Sequence, residues 1–147
     1  MVRYTWEDLI DGKIPSDCTY FDCSESELNE LSELPQTLQE LFCDDNNLNK
    51  LPELPQTLKF LYCRNNNLSY LPELSITLED LDCSYNKLNE LPELPQILQE
   101  LKCNNNNIKY LSQYNCSIIK KLKYVKVLNN PFSANFTTNK EFILSLE

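Results

Sequence analysis

A chain of 147 residues, 41% of them hydrophobic, fits one domain provided the core is continuous. Its formal net charge of -9 disfavours nucleic acid and anionic membrane surfaces, which demand clustered Lys and Arg, and is compatible with a basic partner. With no histidine, Ser-His and Cys-His nucleophiles are excluded, and no apolar run approaches the roughly 18 residues of a membrane span.

Residues 1–15 stand outside any repeat. Thr5 and Asp8 have the spacing of a weak capping pair, and Trp6, Leu9 and Ile10 fall on one helical stripe that Gly12 closes. The pattern predicts an N-terminal cap over residues 1–17 covering the first rung of a stack, with a docking peptide as the alternative. No signal peptide opens the chain, so the expected location is cytoplasmic, in the producing cell or in the cytosol of a host.

Residues 18–35 are a degenerate unit. Cys18, Phe21, Cys23, Ser26, Leu28, Leu31 and Leu34 keep the spacing of the regular units that follow. Residues 38–55, LQELFCDDNNLNKLPELP, then recur as LKFLYCRNNNLSYLPELS from Leu58, LEDLDCSYNKLNELPELP from Leu78 and LQELKCNNNNIKYLSQYN from Leu98, a period of 20 with no insertion. A fixed period in this range marks a solenoid. Within L-x-C the apolar residues alternate, so each unit predicts a short strand with Leu41 and Cys43, and their counterparts, pointing inward. Such a strand cannot bury its inner side alone, whereas stacked parallel copies bury all of them together. Asn46, Asn66, Asn86 and Asn106 form an inward column whose amides satisfy backbone groups where the chain leaves the strand. The return segments read LPELPQTL, and Pro52, Pro55, Pro72, Pro92 and Pro95 forbid helix there, predicting extended, polyproline-like backbone.

After Leu111 the spacing breaks. Leu122, Val125, Val127, Asn130 and Phe132 restore the pattern 24 residues after Leu98, and the extra residues 112–121 predict a helical turn on the convex side. The repeats therefore run over 18–132. In the tail, 133–147, Thr138 and Glu141 form a capping box ahead of Phe142, Ile143 and Leu146, a short helix expected to cover the last rung. With both ends covered, the chain reads as a complete domain.

Five of the seven cysteines, Cys23, Cys43, Cys63, Cys83 and Cys103, share one column, an inward row about 4.8 Å from strand to strand. A row is not a tetrahedron, and parallel neighbours hold their Cβ atoms too far apart for a disulfide. They read as small buried hydrophobes, with metal or disulfide use as the minor alternative. Cys18 and Cys116 have no assigned role.

The motif L-x-x-L-x-C-x-x-N-x-L-x-x-L-P-x-L-P resembles the short, bacterial-type leucine-rich repeat of secreted effectors such as YopM and the IpaH group, with cysteine where those proteins usually carry valine. Leucine-rich repeats of giant DNA viruses infecting amoebae read similarly, and the Asn-, Lys- and Tyr-rich wording suits an AT-rich genome. The resemblance implies a leucine-rich repeat solenoid: about six short parallel strands on the concave side, extended returns on the convex side and capping helices at both ends. It also implies a protein-binding scaffold, resembling only the recognition half of effectors that add a ubiquitin-ligase domain.

On such a sheet the outward columns carry identity. One runs Tyr20, Glu40, Phe60, Asp80, Glu100 and Tyr124; the next runs Asp22, Phe42, Tyr62, Asp82, Lys102 and Lys126. Phe42, Phe60, Tyr62 and Tyr85 are expected to form an aromatic centre ringed by Glu40, Asp44, Asp45, Asp80, Asp82 and Glu100, with Arg64 alongside and Lys102, Lys123 and Lys126 toward the far end. Aromatic anchors inside a charged rim are what interfaces favour, although cross-strand pairing that only stabilises the sheet is the plain alternative. Catalysis has little support. Asp80 and Asp82 lie on an open sheet, one glycine cannot build a phosphate cradle, and Asp44 with Asp45 falls short of the ligands calcium takes. The expectation is a non-enzymatic module without cofactor or metal that binds a protein through its concave face. A monomer is favoured, and self-association through the same aromatic patch is the alternative.

Overall fold

The computed structural model describes residues 7–8 and 15–146. Six three-residue strands, β1 (Tyr20–Asp22), β2 (Glu40–Phe42), β3 (Phe60–Tyr62), β4 (Asp80–Asp82), β5 (Glu100–Lys102) and β6 (Tyr124–Lys126), form one parallel sheet in chain order. The register is that of the repeat: Phe21 pairs with Leu41, then Leu61, Leu81, Leu101 and Val125 in turn. A register slip of one residue would turn every leucine outward, so the buried column holds the stack in phase.

The core is what the columns require. Leu41, Leu61, Leu81 and Leu101 are fully buried, as are Cys43, Cys63, Cys83 and Cys103, and all seven thiols are free. Each fully buried leucine contributes about 1.5–3 kcal/mol, and the contribution exists only because the neighbouring rung supplies the other wall. Burial pushes the Cys23 and Cys103 thiols up to about 12 and holds Cys43, Cys63 and Cys83 well above their ordinary value. These thiols stay protonated and behave as small apolar side chains.

The asparagine column is a hydrogen-bonding ladder. The Asn66 Nδ2 donates to the Cys43 carbonyl of the preceding rung at 2.9 Å and lies 3.2 Å from the carbonyls of Cys63 and Arg64. Its Oδ1 accepts from the Leu48 N–H at 2.9 Å. Asn46, Asn86, Asn106 and Asn130 repeat this arrangement. Ser26, at the same column position in the degenerate unit, is exposed; its hydroxyl donates locally to the Ser24 carbonyl and its N–H to Asn46 Oδ1 of the next rung. Beside the ladder the chain turns through left-handed backbone at Glu25, Asp45, Asn65, Tyr85, Asn105 and Asn129, with φ between 52° and 60°. Four of these are the Asn or Asp that tolerate such φ values; Tyr85 and Glu25 are not.

The returns contain no helix or strand through residue 112. A second ladder ties them together: the Thr57 hydroxyl lies 2.9 and 2.8 Å from the Gln36 and Leu38 carbonyls, and Thr77 sits likewise on Gln56 and Leu58 at 3.1 and 3.0 Å. The expected convex helix is present as α1 (Gln113–Ile119), capped by the Ser112 side chain, with Ile118 and Ile119 buried. A 3-10 turn (Pro131–Ser133) follows β6, and α2 (Asn139–Ser145) closes the end, with Phe142 edge-on to Phe132 and Phe136 at 5.3 and 5.6 Å. The Thr138–Glu141 capping box is formed. At the other end Glu7 and Asp8 are helical; Thr5, Trp6, Leu9, Ile10 and Gly12 of the expected N-terminal cap lie outside the described residues.

Candidate functional site

Three-residue strands put two side chains each on the concave face, and parallel pairing sets those columns side by side. Of the aromatic side chains on this face, Tyr20, Phe42 and Tyr62 are half-buried and pack laterally on one another. Tyr20 and Phe42 place their ring centroids 5.3 Å apart, and Phe42 and Tyr62 stand at 4.9 Å. The Lys102 ammonium lies 5.7 Å from the Tyr62 ring and 5.7 Å from the Tyr124 ring, which Lys126 also covers at 5.7 Å. The result is one band crossing from β1 to β6, in which Lys102 bridges the two aromatic groups.

This differs in detail from the aromatic centre expected from the columns. Phe42 and Tyr62 are together, whereas Phe60 lies in the other column, between Glu40 and Asp80, and meets none of the other rings. Tyr85 stands on the left-handed ridge beside the sheet, 53% exposed. Arg64 is on the same ridge, 4.0 Å from Asp45 and exposed. Tyr20 and Tyr124 complete the band, although they were outside the expected aromatic set. The signal was present in the Tyr20 column, but ring packing runs diagonally between columns, which spacing alone does not display.

The carboxylates divide by environment. Asp82 is held: it lies 3.9 Å from Lys102 and accepts from the Ser84 N–H at 3.1 Å. Asp80 is 8% exposed; its Oδ2 accepts from the Tyr62 hydroxyl at 2.5 Å, while its Oδ1 is buried without a hydrogen-bond partner. Burial raises the Asp80 pKa above the ordinary carboxylate value, against the opposing pull of the Tyr62 bond and the Lys102 charge. Asp44 is pushed up to about 6 by burial, which outweighs its bond from the Arg64 N–H at 2.6 Å; Asp82 and Asp45 add to the rise. Glu40 and Glu100 flank the band, half-buried. Among the described residues, no group of three or more Cys, Asp or Glu side chains is placed to hold a metal ion. No helix of the described residues is long and apolar enough to cross a membrane.

The arrangement offers flat π faces, one central ammonium and carboxylate oxygens with unused acceptor capacity. That is equipment for gripping a cationic, partly apolar surface.

The fold these observations define is a leucine-rich repeat solenoid, and it is similar to those of bacterial effectors. A Shigella effector LRR domain is 34% identical with a TM-score of 0.71, over 84% of this chain and 53% of its own length. YopM from Yersinia pestis, a leucine-rich effector protein, is 32% identical with a TM-score of 0.73, over 85% of this chain and 40% of its own. YopM from Yersinia enterocolitica WA-314 is 30% identical with a TM-score of 0.67, over 80% of this chain and 30% of its own. The chain thus spans 53% of the Shigella domain and smaller shares of the YopM chains. No family model matches the chain, and no curated protein matches it by sequence. The viral likeness of the repeat wording has no counterpart among these bacterial structures.

Proposed function

We propose that this chain is a non-enzymatic recognition module that binds a partner protein through the concave sheet face, the partner presenting a basic or apolar-basic surface. The supporting observation is the Tyr20–Phe42–Tyr62 band flanked by the half-buried carboxylates Glu40 and Glu100. A lysine or arginine from a partner pairs with these accessible carboxylates at the edge of the band, while its aliphatic stem lies on the rings. Asp44, Asp82, Glu40 and Glu100 give the face its sign, and Arg64, Lys102 and Tyr85 border the contact. The net charge of -9 opposes self-association through this face, so the module acts as a monomer. Its likeness to effector repeat domains supports action in a cytosol, that of the producing cell or of a host.

The test is a quantitative affinity capture from candidate host lysate with the native chain and with Phe42→Ala/Tyr62→Ala, both shown to be folded. Partners should be lost selectively from the variant. A partner list that the double substitution leaves unchanged removes the concave band as the site.

A further inference from the structure

We propose that the convex side carries a second docking site: a groove that takes an extended peptide presenting a large apolar side chain flanked by Lys or Arg. It lies between the returns at residues 72–77 and 92–97, with a cavity volume of about 610 Å³. The proposal does not rest on the concave face.

The repeat supplies its own comparison. One rung earlier the same hollow, of about 480 Å³, is lined by Gln36, Glu53, Leu54, Gln56, Pro72 and Glu73. Advancing five of these by one period gives Glu73, Leu74, Ile76, Pro92 and Glu93, all in the larger groove, while Gln36 advances to Gln56, which is not. The hollow is therefore a property of the fold, and in a single step it gains apolar walls while keeping its glutamates. Ile76 stands where Gln36, Gln56 and Gln96 stand in the other copies, and it is 76% exposed. Ile97 stands where Thr37, Thr57 and Thr77 stand, and it too is exposed.

The second change has a structural cost. Thr77 ties its return to the preceding one through the Gln56 and Leu58 carbonyls; Ile97 has no hydroxyl to do the same. Ile97 thus forgoes the inter-rung hydrogen bond and leaves 49% of its surface exposed. The third wall is Tyr114, brought in by the helix that interrupts the 20-residue period. Its neighbour Asn115 locks that helix onto the groove: Nδ2 donates to the Pro92 carbonyl at 2.9 Å, and Oδ1 accepts from the Leu94 N–H at 2.9 Å. The groove is thus preformed, with a fixed wall and buried polar anchors.

Charge selects the occupant. Glu73 and Glu93 are exposed on the rim, and neither has an ion-pair partner among the described residues. No lysine or arginine lines the groove. A second copy of a chain carrying -9 meets repulsion here, whereas a basic-apolar peptide places its cations on the two glutamates and its apolar side chain between Ile76, Ile97 and Tyr114.

The experiment is fluorescence anisotropy of the full chain with a labelled short peptide alternating leucine and arginine. Saturable binding is expected, weakening at least about tenfold in Ile76→Gln/Ile97→Thr, which restores the side chains of the other rungs. That variant should melt no lower than the native chain, because the new threonine hydroxyl regains the inter-rung bonds, so lost binding does not report unfolding. Phe42→Ala/Tyr62→Ala should leave the affinity unchanged, and a peptide with glutamate for arginine should not bind. The proposal is overturned by no binding to the native chain, by binding indifferent to Ile76→Gln/Ile97→Thr, or by equal binding of the glutamate peptide. Binding lost instead with the concave variant overturns it too. So does a concentration-dependent dimer that Ile76→Gln/Ile97→Thr disperses, which assigns the groove to a second copy.

Discussion

Replacing Asn66 by alanine tests whether the asparagine ladder holds the stack together. The amide is 8% exposed and serves four backbone groups: it donates toward the carbonyls of Cys43, Cys63 and Arg64 and accepts from the Leu48 N–H. An NH₂ group has only two hydrogens, so at most two of the three carbonyls are fully satisfied at once. Alanine leaves the buried Leu48 N–H without an acceptor, whereas the carbonyls keep other donors: Cys43 from Asn46 Nδ2, Cys63 from Asn86 Nδ2 and Arg64 from the Asp45 N–H. The stranded N–H costs about 1–3 kcal/mol, and the carbonyls add less because each loses one of two donors rather than its only one. The sum is about 2–4 kcal/mol, a sizeable part of the roughly 5–15 kcal/mol that holds a domain folded. Asn47, the next residue, is exposed and makes one 3.5 Å contact to the Glu27 carbonyl. Asn47→Ala should therefore stay within about 0.5 kcal/mol of the native chain. Urea unfolding of both variants reads the difference as a shift in midpoint at constant m. Asn66→Asp sharpens the test, since it keeps the acceptor for Leu48 but loses the donors and buries a carboxyl. It should be no more stable than the alanine variant. If Asn66→Ala and Asn47→Ala unfold within about 1 kcal/mol of each other, the ladder is ornamental and the leucine columns carry the stack alone.

Three further outcomes follow from the same geometry. The folded pKa of Asp44, about 6, lies above its unfolded value, so the folded chain keeps that proton longer; stability should fall as pH rises from about 4 to about 6 and then level off. Asp44→Asn should flatten that decline in urea midpoints measured across the range, and an unaltered slope would show that Asp44 is solvated. In native protein a thiol reagent should reach Cys116, the partly exposed cysteine, slowly because burial raises its pKa, while all seven react in denaturant. Rapid modification of two or more native thiols would contradict an inward column. Tyr85→Asn places at φ 55° a residue that tolerates it, and should raise stability by about 1 kcal/mol in the same denaturation assay; a loss would mean that the exposed ring packs on something.

What could be read from the sequence was whatever recurs. Leu41, Cys43 and Asn46 have one counterpart per period, and any assignment that buries one must bury them all, so strand, register and ladder came out together. The concave face does not recur, and its contacts depend on how side chains lean between strands. Lys102 illustrates this: its column position suggested an outlying charge, yet its long stem reaches back across Asp82 to the Tyr62 ring. Phe60 is the converse, since adjacency in a list of outward residues suggested a contact that the sheet geometry does not make. Tyr85 was misplaced for a third reason, because the left-handed turn carries its side chain off the sheet. The break after Leu111 predicted a convex helix, but not that its Asn115 would clamp the return at Pro92 and Leu94.

In a stack built from one repeated rung, cohesion and individuality compete for the same positions on the returns. Thr57 and Thr77 contribute to cohesion, each hydroxyl reaching two carbonyls of the rung before it. At Ile97 that contribution is absent, on the rung where the period is about to break and a helix is added. Ile97→Thr alone should therefore stabilise the chain by about 0.5–1.5 kcal/mol, the net worth of one recovered hydrogen bond. The size of that gain measures what the stack forgoes by keeping isoleucine, whatever occupies the groove. Scoring the single variant by urea midpoint separates the two contributions cleanly, because Thr37→Ile in the polar part of the stack should lose a comparable amount without creating an apolar hollow. If Thr37→Ile costs nothing, the threonine ladder is not cohesive, and Ile97 is then merely one more exposed aliphatic side chain.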